Sequence, residues 1–229
     1  SINNATSGTI TLNNPGVALS GSTADVKAAL AGNFAATYTG NITLTDSNST
    51  TINASDISTI AGRTEGTITV SNNISLTGTS SEVAAAVAVI DTVSGSPAAI
   101  LSDAHTLAQL KAVNNAIGGI ITLQDYSVAL EGSTSDIKAA LAGSFASNYS
   151  GNVTLTDANG TDITATDITV IEGDTAGTIT VSNNIDINGT AAEVAAAVDD
   201  VDTFSGDATA TLSDAHTLAE LKAINNKLS

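Results

Sequence analysis

Aspartate and asparagine side chains around two turns are the residues of this sequence best suited to bind a metal ion. Their carboxylate and amide oxygens are the ligands that a hard cation such as Ca²⁺ prefers. The candidate ligands are Asp46, Asn48 and Asp56 in the first half of the chain and Asp157, Asn159, Asp162 and Asp167 in the second. Asp and Asn are also ordinary residues of tight turns, and an EF-hand loop with its closing Glu is absent. The pattern leaves open a calcium site and a purely structural turn.

The second of these turns has the fuller set of candidate ligands. It carries Gly160 and Asp162 where the first has Ser49 and Thr51. If only one turn binds calcium, the sequence therefore favours the second. No other cofactor is expected.

The two histidines are weak candidates for catalysis. His105 and His216 occupy the same position in Ser-Asp-Ala-His-Thr-Leu, at an expected helix start where side chains usually lie at the surface. A nucleophile motif, a phosphate-binding loop and a His-Glu metal motif are all missing from the sequence. Tyr38 and Tyr149 are predicted to be core residues rather than a sugar-stacking platform. We expect a protein that is not an enzyme.

Most of the remaining acids that occur in both halves fit helix starts. Thr79 with Glu82 and Thr190 with Glu193 have the spacing of capping boxes, in which a hydroxyl and a carboxylate each accept a bond from an unpaired backbone N–H. Shorter caps are predicted at Ser22-Thr-Ala-Asp25 and Ser133-Thr-Ser-Asp136, and Asp103 and Asp214 are predicted to be N-caps.

The composition limits the partners that the chain can have. The 229 residues include 23 Asp and Glu against 6 Lys and Arg, for a net charge of −17. This charge repels nucleic acid phosphates and anionic membrane surfaces. Cysteine is absent, so disulfides and thiolate metal sites cannot stabilise the fold. No stretch approaches the roughly 18 apolar residues of a membrane span, and we expect no membrane insertion.

The chain is an internal duplication. Shifting the sequence by the distance from Gly8 to Gly119 aligns residues 5–115 with residues 116–226 without a gap, with roughly two thirds of positions identical. These ranges are the two predicted repeat units. The opening Ile2-Asn3-Asn4-Ala5 recurs as Val113-Asn114-Asn115-Ala116, so further copies are expected on both sides in a longer parent protein.

Each repeat unit contains four shorter sub-repeats, which in the first unit begin near Gly8, Gly40, Gly66 and Gly95. Each sub-repeat is expected to form a strand, a turn, a second strand and a helix. The first sub-repeat shows the pattern in Thr9–Leu12, Val17–Leu19 and the helically spaced Val26, Leu30 and Phe34. One sub-repeat cannot bury its apolar face alone, so we predict an α/β tandem-repeat solenoid of eight β-β-α layers. The alternative is two consecutive compact α/β repeat domains.

The motif Leu-Ser-Asp-Ala-His-Thr-Leu-Ala-x-Leu-Lys-Ala-x-Asn-Asn of residues 101–115 and 212–226, beside the Gly-Thr-Ile-Thr-Leu strands, resembles the repeats of giant cell-surface proteins of marine cyanobacteria. These include proteins implicated in swimming without flagella. The resemblance covers the whole chain. It implies a very long, secreted, acidic surface protein that uses calcium from seawater, and it brings no catalytic residues.

Two functions follow as expectations. The first is a structural spacer or stalk in a large extracellular or cell-surface protein, whose partners are neighbouring repeats of the same chain. The second is a calcium-binding adhesin module that contacts surface glycans or partner proteins.

Overall fold

A computed structural model describes residues 5–228 of the chain, so Ile2, Asn3 and Asn4 of the opening motif lie outside the described residues. The described part contains eight helices and fifteen strands, and the predicted α/β class is confirmed. The helices are α1 (Thr23–Leu30), α2 (Ala54–Ala61), α3 (Ser80–Ala88), α4 (Leu107–Ala116), α5 (Thr134–Leu141), α6 (Ala165–Asp174), α7 (Ala191–Asp200) and α8 (Leu218–Lys227).

The strands are short, most of them three or four residues. In the first half they are β1 (Leu19–Gly21), β2 (Ile42–Leu44), β3 (Thr51–Asn53), β4 (Ile68–Val70), β5 (Ser75–Gly78), β6 (Thr92–Val93) and β7 (Ala98–Leu101). They continue as β8 (Ile121–Leu123), β9 (Leu130–Gly132), β10 (Val153–Leu155), β11 (Asp162–Thr164), β12 (Ile179–Val181), β13 (Asp186–Gly189), β14 (Thr203–Phe204) and β15 (Thr209–Leu212).

Four sheets form from these strands, and every pair within them is parallel. Their orders are β1-β2-β4-β6, β3-β5-β7-β8, β9-β10-β12-β14 and β11-β13-β15. Strand pairing joins equivalent residues of successive sub-repeats, as in the register Ile42 to Ile68. A parallel pair needs a long crossover connection, and here each crossover contains a helix and usually a strand of another sheet.

The chain divides into two compact units. Unit 1 comprises residues up to His105 together with Asn115–Gln124, and unit 2 comprises Thr106–Asn114 together with residues from Asp125 onward. The compact units differ from the repeat units 5–115 and 116–226, which are defined by sequence identity. Most of helix α4 belongs to unit 2, whereas strand β8 belongs to unit 1.

Small aliphatic side chains build the core of each unit. Strands alternate a buried side chain with a partly exposed one, as in Ile42-Thr-Leu44. The helices bury their strand-facing side, where Ile57 and Ile60 are fully enclosed. Burying one such side chain contributes about 1.5–3 kcal/mol. Tyr38 and Tyr149 are buried, which confirms the prediction that they are core residues.

The first sub-repeat differs from its predicted pattern. Helix α1 ends at Leu30, so the prediction that Phe34 continues its apolar face is wrong. Phe34 instead forms an isolated parallel bridge with Ile10, and this bridge is all that the structure forms of the predicted strand over Thr9–Leu12. The second predicted strand is shifted to Leu19–Gly21.

Glycine recurs where one sub-repeat starts against the backbone of the previous one. A Cβ on Gly40 would lie 2.1 Å from the carbonyl oxygen of Val17, and a Cβ on Gly151 would lie 2.0 Å from that of Val128. No side chain fits at these distances. The close approach explains why the repeated glycines mark strand starts.

Candidate functional site

The helix starts carry the local caps that the sequence predicts. The Ser22 hydroxyl accepts a bond from the Asp25 N–H at 3.2 Å, and Ser133 and Asp136 repeat the arrangement. Thr79 with Glu82 forms a complete capping box, as do Thr190 and Glu193 in the second copy. These predictions are confirmed.

A second cap comes from the following sub-repeat. Asp46 Oδ2 accepts bonds from the Thr23 N–H at 2.9 Å and from the Thr23 hydroxyl at 2.7 Å, although the two residues are 23 positions apart. Asp157 repeats both bonds to Thr134, at 2.9 and 2.6 Å. Thr23 and Thr134 are the first residues of α1 and α5. Each aspartate therefore binds a helix N-terminus of the preceding sub-repeat.

Asp103 and Asp214 follow the same rule, and their predicted role as N-caps of the next helices is wrong. Asp103 Oδ1 accepts from the Ser80 N–H at 2.6 Å, and Asp214 Oδ1 accepts from the Ala191 N–H at 2.7 Å.

The helices that follow these aspartates are capped by threonine. Thr106 exchanges two bonds with Gln109, and Thr217 forms a capping box with Glu220. Because Asp103 and Asp214 lie several residues before these helices, they are free to reach the neighbouring sub-repeat.

The hydrogen bonds at the helix starts lower the pKa values of the carboxyl groups that accept them. The Ser80 backbone N–H, followed by the Ser80 hydroxyl, lowers the pKa of Asp103 below its ordinary value. The Thr190 backbone N–H lowers the pKa of Glu193 in the same way. Hydrogen bonds to the ionised form stabilise that form, and the positive end of a helix dipole acts in the same direction.

Asparagine side chains link the turns that precede the second strands. Asn48 Oδ1 accepts from the Asn73 N–H at 3.0 Å, and Asn73 Oδ1 accepts in turn from the Ser96 N–H at 2.8 Å. In the second copy Asn159 accepts from Asn184 at 3.0 Å, and Asn184 accepts from Asp207 at 2.9 Å. Each amide therefore binds the backbone of the next sub-repeat.

Two further asparagines bond in the opposite direction. Asn72 Nδ2 donates to the Asp46 carbonyl at 2.7 Å, and Asn183 Nδ2 donates to the Asp157 carbonyl at 2.8 Å. Sequence reasoning missed both residues. The signal that could have found them is Ser-Asn-Asn at 71–73 and 182–184, which occurs unchanged in both copies.

The structure gives most of the predicted calcium ligands a partner within the protein. Besides the bonds of Asp46, Asn48, Asp157 and Asn159, Asp56 pairs with Lys27 and Asp167 pairs with Lys138. Asp162 lies exposed in β11. Within residues 5–228, no three His, Cys, Asp or Glu side chains form a group that could hold a metal ion. Calcium binding stays a prediction of the sequence.

The turn that contains the candidate ligands is tight in both copies. Ser49 has a φ of 63° and Gly160 a φ of 76°, in the left-handed region that favours glycine. The Ser49 N–H donates to the Asn73 carbonyl at 2.6 Å, and the Gly160 N–H donates to the Asn184 carbonyl at 2.7 Å. The backbone of this turn is therefore bonded to the next sub-repeat as well.

The two histidines lie in different surroundings. His105 is 4% exposed, whereas His216 is exposed. Neither lies within a helix, because α4 begins at Leu107 and α8 at Leu218. The expected surface position is therefore wrong for His105, because this segment of the first copy is packed and its equivalent in the second copy is not.

Two concave regions, one in each unit, are candidates for a catalytic cleft. In unit 1 a cavity of about 130 Å³ is lined by aliphatic side chains and by Asp91, whose Oδ2 accepts from the Ile68 N–H at 2.8 Å. In unit 2 a depression of about 310 Å³ is lined by Phe145, Tyr149 and Asp174 among others. Tyr149 donates its hydroxyl to the Val128 carbonyl at 2.6 Å, and burial raises its pKa. Asp91 and Tyr149 thus already have structural partners.

The described residues define a protein of the α/β class with parallel sheets, in which acids present in both copies connect neighbouring sub-repeats. No protein-family model, curated protein or solved structure matches the chain. No helix within residues 5–228 combines the length and apolar character needed to cross a membrane.

We predict that Asp103→Asn lowers the thermal unfolding temperature at neutral pH, because the amide keeps an acceptor oxygen but loses the charge at the start of α3. The pKa of folded Asp103 lies below its ordinary value of 3.8. The wild-type advantage is therefore fully present above about pH 3.8 and is lost as the pH falls through the folded-state pKa. Calorimetric scans from about pH 7 to about pH 2.5 measure the difference.

Asp207→Asn is the matched control for this series, since the Asp207 side chain is exposed. It removes one negative charge without removing a bond to a helix start, so a deficit shared by both variants would not come from the α3 contact. A deficit of Asp103→Asn that stays constant down to the lowest pH would contradict the assignment.

We predict that Asp157→Ala destabilises the protein whether or not calcium is present. The substitution removes the acceptor of the buried Thr134 N–H and hydroxyl, which costs about 1–3 kcal/mol of unfolding free energy. Urea unfolding with excess EDTA and with excess Ca²⁺ measures the loss. Asp162→Thr, which installs the residue found at position 51, should leave stability unchanged in EDTA. A loss for Asp157→Ala that appears only with calcium would favour the metal site over the structural role.

Proposed function

We propose that the chain is a non-enzymatic structural repeat module, a spacer or stalk, in a large extracellular or cell-surface protein. In this proposal its β-β-α layers form a solenoid and its partners are neighbouring repeats of the same chain. The observation that carries it is the use of the paired Asp and Asn side chains, which bond the backbone of an adjacent sub-repeat at separations of 23 to 26 residues.

Bonding of this kind suits a layered body because each layer stabilises its neighbour. In solenoid proteins, stability is approximately a sum of terms within repeats and between adjacent repeats. In this chain the pairing of the strands, the aspartate caps of the helices and the asparagine bonds are all contacts between adjacent sub-repeats. A catalytic site would instead need a nucleophile, a general base and charge-stabilising groups that converge on one substrate position.

The remaining charge also supports a spacer. Asp199 and Asp207, two acids that occur only in the second copy, lie exposed. A large negative charge keeps a protein soluble and discourages non-specific association. The sequence contains no cysteine, so packing and hydrogen bonds stabilise the fold without disulfides.

Small-angle X-ray scattering on the chain and on a fusion of two chains in register tests the spacer proposal. Parallel strands are spaced by about 4.8 Å, so eight added layers should lengthen the maximum dimension by about 38 Å. If the fusion were instead a compact body, doubling the chain length would increase its radius of gyration by only about 30%. Growth of the smaller kind, with a folded profile, would contradict the solenoid and with it the spacer.

A further inference from the structure

We propose that two copies of this chain associate head to tail by strand addition. The open edge of β15 in one copy accepts the segment Ile10–Leu12 of the other copy as a further parallel strand. This inference rests on the proposed function, because it assumes that one repeat can stack on an equivalent repeat at either end.

Unit 1 contains the template for this contact. Strand β7 pairs with β8 in the register Ala99 to Ile121, Ile100 to Thr122 and Leu101 to Leu123. The Ala99 N–H donates to the Ile120 carbonyl at 3.0 Å. Strand β8 has the sequence Ile-Thr-Leu, which is identical to Ile10-Thr-Leu12 at the equivalent place in the first copy.

Strand β15 in unit 2 is equivalent to β7, but among residues 5–228 it has a neighbouring strand on one side only. Within the described residues its sheet runs β11-β13-β15 and ends there. The Thr209 N–H donates inward to the Ile185 carbonyl at 2.8 Å, just as the Ala98 N–H donates to Ile74. The next residue, Ala210, therefore presents its N–H on the outer edge, where Ala99 donates to β8.

Apolar side chains near β15 are more exposed to solvent than their equivalents near β7. Leu101 at the end of β7 is buried, whereas the equivalent Leu212 is half-buried. In the helices that follow, Leu110 is 0% exposed and its equivalent Leu221 is 42% exposed, and Leu218 is 85% exposed. Leucines of the same motif are therefore buried in the first copy and partly exposed in the second.

The segment Ile10–Leu12 has the complementary open edge. Ile10 uses its backbone on one side, donating to the Asn33 carbonyl at 2.7 Å and accepting from the Ala35 N–H at 2.9 Å. Since backbone groups alternate along a strand, the carbonyl of Thr9 and the N–H of Thr11 point the other way. Both residues are exposed. In the proposed pairing, the Thr9 carbonyl accepts from Ala210 of the other copy.

A glycine supplies an independent observation. A Cβ on Gly119, just before β8, would lie 2.6 Å from the Pro97 carbonyl oxygen, so that position requires glycine. A Cβ on the equivalent Gly8 would meet only the Thr6 hydroxyl, at 3.3 Å. Within residues 5–228, nothing approaches Gly8 as Pro97 approaches Gly119. The close approach is expected instead from the Ala208 carbonyl of a second copy.

Sedimentation velocity on the full chain tests the proposal. Because each copy carries a charge of −17, the runs should use about 0.5 M salt, which screens charges within several ångströms. Between about 10 μM and about 1 mM protein, we expect the average mass to rise through dimers to longer oligomers. A chain that stays monomeric over this range would overturn the proposal.

Two variants each block one side of the contact. Ala210→Pro removes the outward N–H of β15, and Gly8→Ala fills the space needed by the approaching carbonyl. Each variant alone should remain monomeric, and an equimolar mixture should form dimers but no longer oligomers, because one competent edge of each kind remains. Ala210→Ser and Gly173→Ala, the latter with open space around the added Cβ, should associate like wild type.

Other outcomes of this series decide against the contact. Association that survives both blocking variants, or a mixture that stays monomeric, would overturn the head-to-tail register. Circular dichroism checks that each variant is folded, and Gly8→Ala keeps the test valid if Ala210→Pro unfolds. A monomeric wild type whose fusion still lengthens by the expected amount would reject strand addition while leaving the spacer proposal standing.

Discussion

The first N–H groups of an α-helix have no partner within the helix, and this constraint explains two aspartate pairs that the copies share, Asp46 with Asp157 and Asp103 with Asp214. The four helices concerned, α1, α3, α5 and α7, each begin two residues after a strand ends, beside the strand end of the next sub-repeat. Asp46, Asp103, Asp157 and Asp214 stand at that neighbouring strand end and accept the first helical N–H. Each of these aspartates therefore accepts a hydrogen bond that the helix itself cannot satisfy, and the same bond attaches the following sub-repeat to that helix.

The consequences extend through each unit. Strand pairing fixes which sub-repeats are neighbours, and the aspartate and asparagine bonds then fix their register at the ends of the strands. Gly40 and Gly151 permit the backbones to approach closely enough for this to happen. Ion pairs such as Lys138 with Asp167 lie near the surface and contribute about 0–1 kcal/mol each. Register therefore depends on the bonds to backbone groups more than on surface charge pairs.

The sequence predicted what depends on nearby residues. The local caps at Ser22 and Thr79, the aliphatic helix faces and the strand-strand-helix order are visible because their residues are three or four positions apart or alternate along a strand. The interactions between sub-repeats were not visible. Asp103 looks like an N-cap until the position of Ser80, 23 residues away, is known. Phe34 has helical spacing, but pairing with Ile10 takes it out of the helix.

Amide hydrogen exchange measured by NMR tests the central interaction most directly. The N–H groups of Thr23, Ser80, Thr134 and Ala191 are the first of their helices and would exchange rapidly if only water accepted their hydrogen bonds. The account predicts slow exchange at all four, and fast exchange at Leu218, the first residue of α8 and 85% exposed. Exchange at the four positions as fast as at Leu218 would contradict the claim that aspartates of the next sub-repeat complete these helices.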